Sequence, residues 1–325
     1  MLLVQAGASG PRQRLNPSHS TGPACAGTFR IAFVADVAGM RSAVDASGWG
    51  GVGEALRASS CAHTDLALPA RPSDYRRTLQ AYAGYDLVIA GSFLLTDPVV
   101  DVARANPMTH FLLIDPIVVP SEPPNLAVLT FRDDQSAFLA GALAGIVTQT
   151  GVVAGVYGPE GAPDKTNRAG FERGARYVRP SVRVFGAYQP AEDGKPYLNP
   201  IWGGAQARTF AGQHADVIFG SGGTTGQGAL LGATQAGVGC IGADADQSGA
   251  PGCLLASTVK FIDRGVRMTT ADAIAGRWRG GIRAMGLAED AVGLSLVTRR
   301  LPPEQLQQVQ TIADLLASGQ LATGA

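Results

Sequence analysis

The sequence has no excess of charge of either sign, because 26 Lys and Arg residues balance 26 Asp and Glu residues. Proteins that bind nucleic acid through its phosphates normally carry a clear basic excess. Aromatic residues are also scarce, at 6% of the chain. The composition therefore argues against a nucleic-acid partner.

Long apolar runs are missing as well, since none reaches the ~20 residues that a membrane-spanning helix requires. Residues 1–27 are rich in Gly, Pro, Ser and Arg, which predicts a disordered leader. This segment lacks the basic start and the apolar stretch of an ordinary signal peptide. Cys25 follows small residues, as at a lipoprotein cleavage site. A lipid anchor at Cys25 and a chance cysteine in a linker both remain open, and a misassigned start would hide a true signal sequence.

Cysteine is rare, with four residues, and no pair has the spacing of a zinc site. We therefore expect no metal. Cys240 and Cys253 flank a short loop rich in Gly, Asp and Pro. They form a disulfide if the protein is exported, or remain two buried thiols, and the sequence leaves both alternatives open.

The usual catalytic motifs are absent too. Residues 220–226 form a glycine-rich stretch like a phosphate-binding loop, but Gln227 stands where such a loop has its lysine. The sequence has neither the GxSxG motif nor the HExxH motif, and its four histidines are scattered. We therefore expect no enzymatic activity and no cofactor.

The chain does contain a regular alternation of apolar β-branched runs with alanine-rich stretches of helical character. Hydrophobic residues make up 46% of the chain, as in globular proteins. Its length of 325 residues is more than one compact core usually occupies. Continuous apolar strands alternating with helices predict parallel sheets that are covered on both faces. Because the alternation restarts after about residue 150, we predict two such lobes with ligand groups at the carboxyl ends of their strands.

Four groups of segments carry a family resemblance when taken in order. They are 33–39 with 45–51, 85–91 with 111–115, 131–144 with 167–175, and 241–247 with 257–260. With these segments the chain resembles the basic membrane protein (BMP) family, the lipoprotein-type solute-binding proteins of ABC transporters for purine nucleosides. The resemblance covers about residues 30–325.

The resemblance implies an α/β protein of the type I periplasmic-binding fold. This fold has two doubly wound parallel-sheet lobes with a ligand cleft between them, and it closes on its ligand. The expected boundaries place residues 28–130 and 255–290 in lobe 1. Residues 131–254 and 291–325 are expected in lobe 2.

The expected ligand groups lie mainly where strands end. The candidate ligand-binding residues are Asp36, Asp45, Asp115, Trp202, Gly222, Gly223, Asp244 and Lys260. A carboxylate only accepts hydrogen bonds, which suits purine N–H groups and ribose hydroxyls. Two adjacent glycines let the backbone approach a ligand closely, and the resemblance implies that Lys260 reaches ligand oxygens. For the aspartates and glycines the alternative is an ordinary turn or helix cap, and for Lys260 an exposed lysine. Asp246 is a second choice.

One stretch departs from the family pattern. The family's Ser-Phe-Asn run, whose Phe stacks on the base, corresponds here to Ala43, Val44 and Asp45. The second stacking residue would then be Trp202, unless that side chain packs in the core. The loss of one aromatic residue leaves the identity of the ligand open.

The sequence therefore predicts an ABC-transporter solute-binding protein that captures a nucleoside or a related heteroaromatic molecule. Its partners would be that small molecule and an ABC permease. We expect it outside the cytoplasm, periplasmic or anchored to the membrane. The alternative is a cytosolic ligand sensor or regulator of the same fold without a transport role.

Overall fold

A computed structural model of the chain describes residues 2–4, 28–116, 121–191, 194–247 and 252–324. The candidate lipid anchor at Cys25 lies outside the described residues. The strands are β1 (Leu2–Val4), β2 (Phe29–Val34), β3 (Ala62–Ala67), β4 (Leu87–Ala90), β5 (His110–Ile114), β6 (Leu126–Phe131), β7 (Val152–Pro159), β8 (Arg183–Gln189), β9 (Val217–Gly220), β10 (Gly239–Gly242), β11 (Leu254–Lys260), β12 (Gly281–Met285) and β13 (Val292–Leu296). The α-helices are α1 (Ala43–Arg57), α2 (Tyr75–Ala81), α3 (Thr96–Ala105), α4 (Asp133–Val147), α5 (Ala162–Val178), α6 (Pro200–Gly212), α7 (Gly223–Gln235), α8 (Ile262–Ile274) and α9 (Pro303–Ala317).

The chain divides into two compact units. The N-terminal unit comprises described residues 28–131 and 261–285. The C-terminal unit comprises described residues 2–4, 132–260 and 286–324. Among the described helices, none is long and apolar enough to cross a bilayer.

The N-terminal unit is built on a six-stranded parallel sheet with the order β12-β6-β5-β4-β2-β3. Successive strand residues point to opposite faces of a sheet. Ala32 and Val34 of β2 accordingly belong to a buried cluster with residues of α2 and α3. Phe33, between them, contacts Trp49 of α1, with the ring centroids 5.8 Å apart. Helices therefore cover both faces, as continuous apolar strands require.

The C-terminal unit has a seven-stranded sheet with the order β1-β13-β11-β10-β9-β7-β8. Its pairs are parallel except that β13 runs antiparallel to both β1 and β11. Ile218 of β9 is buried in a cluster with residues of α6 and α7. Phe219, on the other face, stacks on Phe171 of α5 at 5.1 Å between centroids. This unit is therefore layered in the same way as the first.

Helices α4 and α5 of the C-terminal unit touch through their backbones. A Cβ atom added to Gly141 would lie 1.9 Å from the carbonyl oxygen of Phe171. A Cβ atom added to Gly174 would lie 1.9 Å from the carbonyl oxygen of Phe138. Only glycine permits this approach, so the many glycines that weaken helix propensity here serve packing.

Cys240 and Cys253 form a disulfide, with Cα atoms 5.2 Å apart. The two residues are 13 positions apart in sequence and are both buried. Of the two alternatives that the sequence left open, the structure has the bridge. A closed loop of this length stabilises the folded chain by ~3 kcal/mol in the chain-entropy model.

All three boundaries between the lobes differ from the sequence-based expectation, the first only by Phe131, which lies in the N-terminal unit. Residues 255–260 were expected in lobe 1, but they belong to β11, which pairs with β10 and β13 of the C-terminal unit. Residues 286–290 likewise lie in the C-terminal unit. Residues 2–4, expected in a disordered leader, form the edge strand β1, because an apolar Leu-Leu-Val segment pairs with β13.

Candidate ligand-binding site

The carboxyl end of the first long strand in each unit is where the chain topology favours a ligand. In the N-terminal unit β2 lies between β3 and β4, and in the C-terminal unit β7 lies between β8 and β9. At such a point the connections leave in opposite directions and open a crevice at the strand ends. Ligand groups are therefore expected at each of these two strand ends.

Asp36 follows β2 and is 7% exposed. Its Oδ1 atom accepts a hydrogen bond from the backbone N–H of Ala38 at 2.6 Å. The next residue, Val37, donates its N–H to the hydroxyl of Tyr75 at 3.1 Å. The loop after β2 is thus held by the carboxylate of Asp36 at its start and by the hydroxyl of Tyr75 from α2.

Asp45 lies behind this loop rather than on its surface. It is the third residue of α1 and is fully buried, and its Oδ2 atom accepts the backbone N–H of Asp36 at 3.0 Å. Burial raises the pKa of the Asp45 carboxyl to about 7, against the lowering effect of the Asp36 N–H group. The structure therefore gives Asp45 a contact with the loop after β2. A direct contact between Asp45 and the ligand stays a prediction.

The neighbouring strand ends supply a further carboxylate and apolar side chains. Asp115 follows β5 with φ of +47° and is half-buried, and its N–H donates to the carbonyl of Leu129 at 2.8 Å. Phe93 and Leu94, which follow β4, are 44% and 46% exposed. An acceptor and exposed apolar surface thus occur at the same edge of this sheet.

In the C-terminal unit, the loop after β9 lies directly on the end of β7. Gly222 has φ of +89°, and a Cβ atom there would lie 2.2 Å from the backbone nitrogen of Gly158. Gly223 has φ of +63°. No other residue fits at Gly222 without displacing backbone, so the close approach is built into this strand end.

Tyr197 lies over the same strand end. A Cβ atom on Gly158 would lie 2.5 Å from a ring carbon of Tyr197 and 3.0 Å from Oδ2 of Asp164. Tyr197 has φ of +65° and is half-buried, and its carbonyl accepts the hydroxyl of Thr224 at 2.9 Å. An aromatic ring is therefore fixed beside the glycine loop.

Asp164 is the buried partner of this ring. Its Oδ1 atom accepts the backbone N–H of Gly158 at 2.9 Å, and the residue is 1% exposed. Burial raises the pKa of Asp164 to about 6. The Tyr197 hydroxyl is near enough to lower that pKa, although its geometry falls short of a normal hydrogen bond.

Asp244 and Lys260 end the next two strands of this sheet. Asp244 is exposed with φ of +69°, and its N–H donates to the Thr258 hydroxyl at 3.2 Å. The ammonium of Lys260 lies 2.9 Å from a carboxylate oxygen of Asp133, with both side chains mostly buried. The charge of Asp244 raises the pKa of Asp164 and that of Lys260 lowers it. These groups therefore share one electrostatic environment.

Trp202 occupies a different position. Its backbone N–H donates to Oδ1 of Asn199 at 3.0 Å at the start of α6. Its indole ring packs on the buried cluster under α6 and α7. This is the packing role that the sequence left as the alternative. Its role as a ligand-stacking residue stays a prediction.

The C-terminal unit brings four of the sequence candidates to one sheet edge: Gly222, Gly223, Asp244 and Lys260. Sequence reasoning missed Tyr197 and Asp164 there. The signal that marks Tyr197 in the sequence is the long segment 189–199, which ends just before Pro200 at the start of α6. Among the described residues, no group of His, Cys, Asp or Glu could hold a metal ion. The ring of Tyr197, the carboxylate of Asp244, the ammonium group of Lys260 and the backbone of the Gly222 loop together suit a small polar solute.

A protein-family model described as "ABC transporter substrate-binding protein PnrA-like" matches residues 64–319. The match includes Asp115, Trp202, the Gly222 loop, Asp244 and Lys260. It begins after Asp36 and Asp45, in keeping with the departure at Ala43, Val44 and Asp45.

Two curated relatives extend this finding. The chain is 31% identical over 220 residues to basic membrane protein B of Borrelia garinii subsp. bavariensis, which is 65% of this chain and 63% of that protein. The match thus spans less than two thirds of that relative's length. Identity to the CD4+ T-cell-stimulating antigen of Listeria monocytogenes is 27% over 318 residues, which is 90% of this chain and 87% of the relative.

Solved structures share the fold at lower identity. An ABC transporter solute-binding protein from Aeropyrum pernix K1 superposes with a TM-score of 0.68 at 22% identity, covering 90% of this chain and 92% of the other. A transcriptional activator of the comK gene from Bacillus halodurans gives 0.73 at 16% identity, covering 90% and 99%. The two-unit α/β architecture is therefore that of solute-binding proteins of the periplasmic-binding type.

Proposed function

Because the chain belongs to the PnrA-like family of ABC transporter substrate-binding proteins, we propose that it captures a nucleoside or a related heteroaromatic solute for an ABC permease. The observation that carries this proposal is the edge of the C-terminal sheet, where the Tyr197 ring lies beside a glycine loop, a carboxylate and an ammonium group. A nucleoside offers a matching flat base and a polar ribose.

In the C-terminal unit, we assign the ring of Tyr197 to the base and Asp244 to hydroxyl groups. Base–aromatic stacking contributes roughly 1–3 kcal/mol in nucleic-acid binders. Lys260 donates to ligand oxygens from its position beside Asp133, and the Gly222 and Gly223 backbone approaches the solute closely. Trp202 remains the second candidate for stacking.

In the N-terminal unit, Asp36 and Asp115 are the proposed acceptors for N–H or hydroxyl groups. The exposed ring of Phe93, which follows β4, is the candidate for the apolar contact that Val44 does not provide. Each unit thus has its own proposed set of contacts to solute. Asp45 contributes by holding the Asp36 loop.

The family consists of substrate-binding proteins that work outside the cytoplasm. The Cys240–Cys253 disulfide supports that location, because such bridges persist in oxidising compartments. Attachment of a lipid at Cys25 stays a proposal. The family match does not favour the alternative of a cytosolic sensor.

Calorimetry and thermal shift with adenosine, guanosine, inosine, cytidine, free purines, flavins and ribose test this function. A ligand that binds only the native state raises the melting temperature. Asp244→Asn should weaken nucleoside binding at least tenfold, because hydrogen bonds to a charged group contribute about 1.5–3 kcal/mol each. Asn tolerates the positive φ at this position, so the fold is kept. The same change at Asp246, the second choice, should have a smaller effect.

Binding of ribose without binding of any nucleoside would contradict the proposed solute class. Unchanged binding by Asp244→Asn would remove that residue from the site. No response to any of these probes would overturn the proposed function.

A further inference from the structure

The two units align residue by residue at the ends of their first long strands. In the N-terminal unit, the N–H of Gly91, the first residue after β4, donates to the carbonyl of Val34 at 2.9 Å. In the C-terminal unit, the N–H of Ser221, the first residue after β9, donates to the carbonyl of Val156 at 2.9 Å. Val34 and Val156 are therefore equivalent positions in the two sheets.

Two residues beyond each valine, a backbone N–H group donates a hydrogen bond to an aspartate side chain. Asp36 donates to Oδ2 of Asp45 at 3.0 Å, and Gly158 donates to Oδ1 of Asp164 at 2.9 Å. Asp45 is the third residue of α1, and Asp164 is the third residue of α5. The same hydrogen bond thus recurs at the same place, although the connecting loops differ in length.

The two aspartates also share their surroundings. They are 0% and 1% exposed. The second carboxyl oxygen of each, Oδ1 of Asp45 and Oδ2 of Asp164, has no hydrogen-bond partner among the described residues. A Cβ atom on Gly91 would lie 2.0 Å from the unpartnered oxygen of Asp45, and one on Gly158 would lie 3.0 Å from that of Asp164. Each free oxygen is therefore enclosed by the backbone of a strand end.

We propose that Asp45 and Asp164 are equivalent positioning residues for solute binding, each fixing the backbone after the first long strand of its own unit. Asp45 sets the position of the Asp36 carboxylate, and Asp164 sets the strand end on which the Tyr197 ring rests. The assignment rests on the proposed function, in which Asp36 and Tyr197 contact the solute.

Protonation provides a way to observe this role. Burial raises the pKa of Asp45 to about 7 and that of Asp164 to about 6. The ionisable groups that face Asp45 are Asp36 and Tyr75. Burial and the charge of Asp36 oppose ionisation of Asp45, and together they outweigh the stronger hydrogen bond that the Asp36 N–H group makes to the ionised form. We therefore expect ionisation to loosen the loop. Solute affinity should therefore fall as the pH rises through 7.

The groups that face Asp164 are Tyr157, Tyr197, Asp244 and Lys260. Asp244 opposes ionisation of Asp164 and Lys260 favours it. Because the pKa is raised to about 6 for Asp164 and to about 7 for Asp45, the Asp164 proton should be lost at the lower pH.

The first experiment needs no ligand. The amide resonances of Asp36 and Gly158 are followed by TROSY NMR from pH 4.5 to 8.5 in the full chain. The Asp36 amide should report the ionisation of Asp45, with a midpoint near pH 7. The Gly158 amide should report that of Asp164, with a midpoint near pH 6. Asp45→Asn should abolish the first titration alone, and Asp164→Asn the second alone. Asp97→Asn, an exposed first-turn aspartate of α3, should change neither.

The wild-type curves decide the matter even if a variant fails to fold. Flat resonances at both amides would overturn the proposal. So would titrations that persist in folded Asn variants.

The second experiment measures binding of guanosine, inosine and adenosine by calorimetry at pH 5.5 and 8.5. Wild-type affinity should fall at least fivefold at the higher pH. Asp45→Asn, which keeps an acceptor but cannot ionise, should lose most of that pH dependence. Asp45→Ala and Asp164→Ala should lose at least tenfold at both values.

Unaltered binding by folded Ala variants would overturn the positioning role. If none of the three nucleosides binds to the wild type, the proposed function fails, while the NMR titration still decides whether the two carboxyl groups hold the strand ends.

Discussion

The two units use the same strand order around their first long strand, yet they present different chemistry at its end. The N-terminal unit offers the carboxylates of Asp36 and Asp115 beside exposed apolar side chains. The C-terminal unit offers a ring, an ammonium group and a glycine loop packed on backbone. The repeated sheet therefore fixes where these polar and apolar groups occur, while the loops decide which groups they are.

The largest expected effect is a loss of stability when a glycine that touches backbone is replaced by alanine. The loss should be smaller for a glycine that touches side chains. Gly222→Ala should cost about 3–5 kcal/mol, because its Cβ atom meets the Gly158 backbone at 2.2 Å in a left-handed conformation. Gly91→Ala in the N-terminal unit should cost less, about 2–3 kcal/mol, because its Cβ atom meets the side chains of Asp45 and Phe33. Urea denaturation measures both.

Gly237→Ala is the matched control for these two variants, since it has φ of +70° and no atom within 4 Å of the added Cβ. It should cost only about 1–2 kcal/mol. Equal losses at Gly222 and Gly237 would show that the close approach at Gly158 is unimportant.

Removal of the disulfide should affect one unit more than the other. Replacing Cys240 and Cys253 together by Ala should lower the stability of the C-terminal unit by ~3 kcal/mol. Hydrogen exchange measured by mass spectrometry should show faster exchange in peptides from 132–260 and little change in 28–116. Peptide mapping of the unreduced protein should recover the two cysteines joined. Equal acceleration in both units would mean that they unfold together.

A pair of aromatic variants separates binding from packing within the C-terminal unit. Trp202→Ala should lower stability by about 2 kcal/mol, because a half-buried indole is removed from the core cluster. Tyr197→Ala should instead weaken nucleoside binding by roughly 10- to 100-fold. Fluorescence titration and thermal melting of both variants provide the readouts. The reverse result would restore Trp202 as the stacking residue.

The smallest expected effect is a pH dependence of stability that differs between the units. A carboxyl with a raised pKa stabilises the fold fully below its unfolded value of 3.8, and this contribution is lost as the pH rises to the folded value. The loss should be complete near pH 7 for Asp45 and near pH 6 for Asp164. Asp134, whose pKa is lowered through Arg132 and Thr323, acts in the opposite direction.

Asp45→Asn should therefore reduce the decline in stability between pH 5 and 7 by about 1–2 kcal/mol. Asp97→Asn should leave that decline unchanged. Denaturant melts at half-unit pH intervals measure the difference, and identical slopes for wild type and Asp45→Asn would contradict it.

Much of the fold could be predicted from the sequence, because buried parallel strands are continuous apolar runs. Strands β2, β4, β5 and β6 are such runs. Strand β3 is not, since its residues mostly alternate between half-buried and exposed at the sheet edge. Helix α7 begins at Gly223, inside the glycine-rich stretch 220–226 that resembles a loop, because glycines that pack closely look locally like loop residues.

The candidate site was harder to predict than the fold. Asp244 and Lys260 are found at the ends of strands, which is a pattern that a sequence displays. Asp164 is identified only by the hydrogen bond that it accepts from the Gly158 N–H group. That bond depends on the path of the loop between the two residues. Tyr197 reaches the strand end through a positive φ that no sequence pattern marks.

The backbone contact between α4 and α5 limits how this protein can be engineered. Exchanging helical glycines for alanine is a common way to raise thermal stability, since alanine has the higher helix propensity. At Gly50 and Gly53 of α1 an added methyl group meets open space. At Gly141 and Gly174 the same exchange would force two helices apart. A consensus redesign guided by propensity alone would therefore improve one helix of this protein and separate two others.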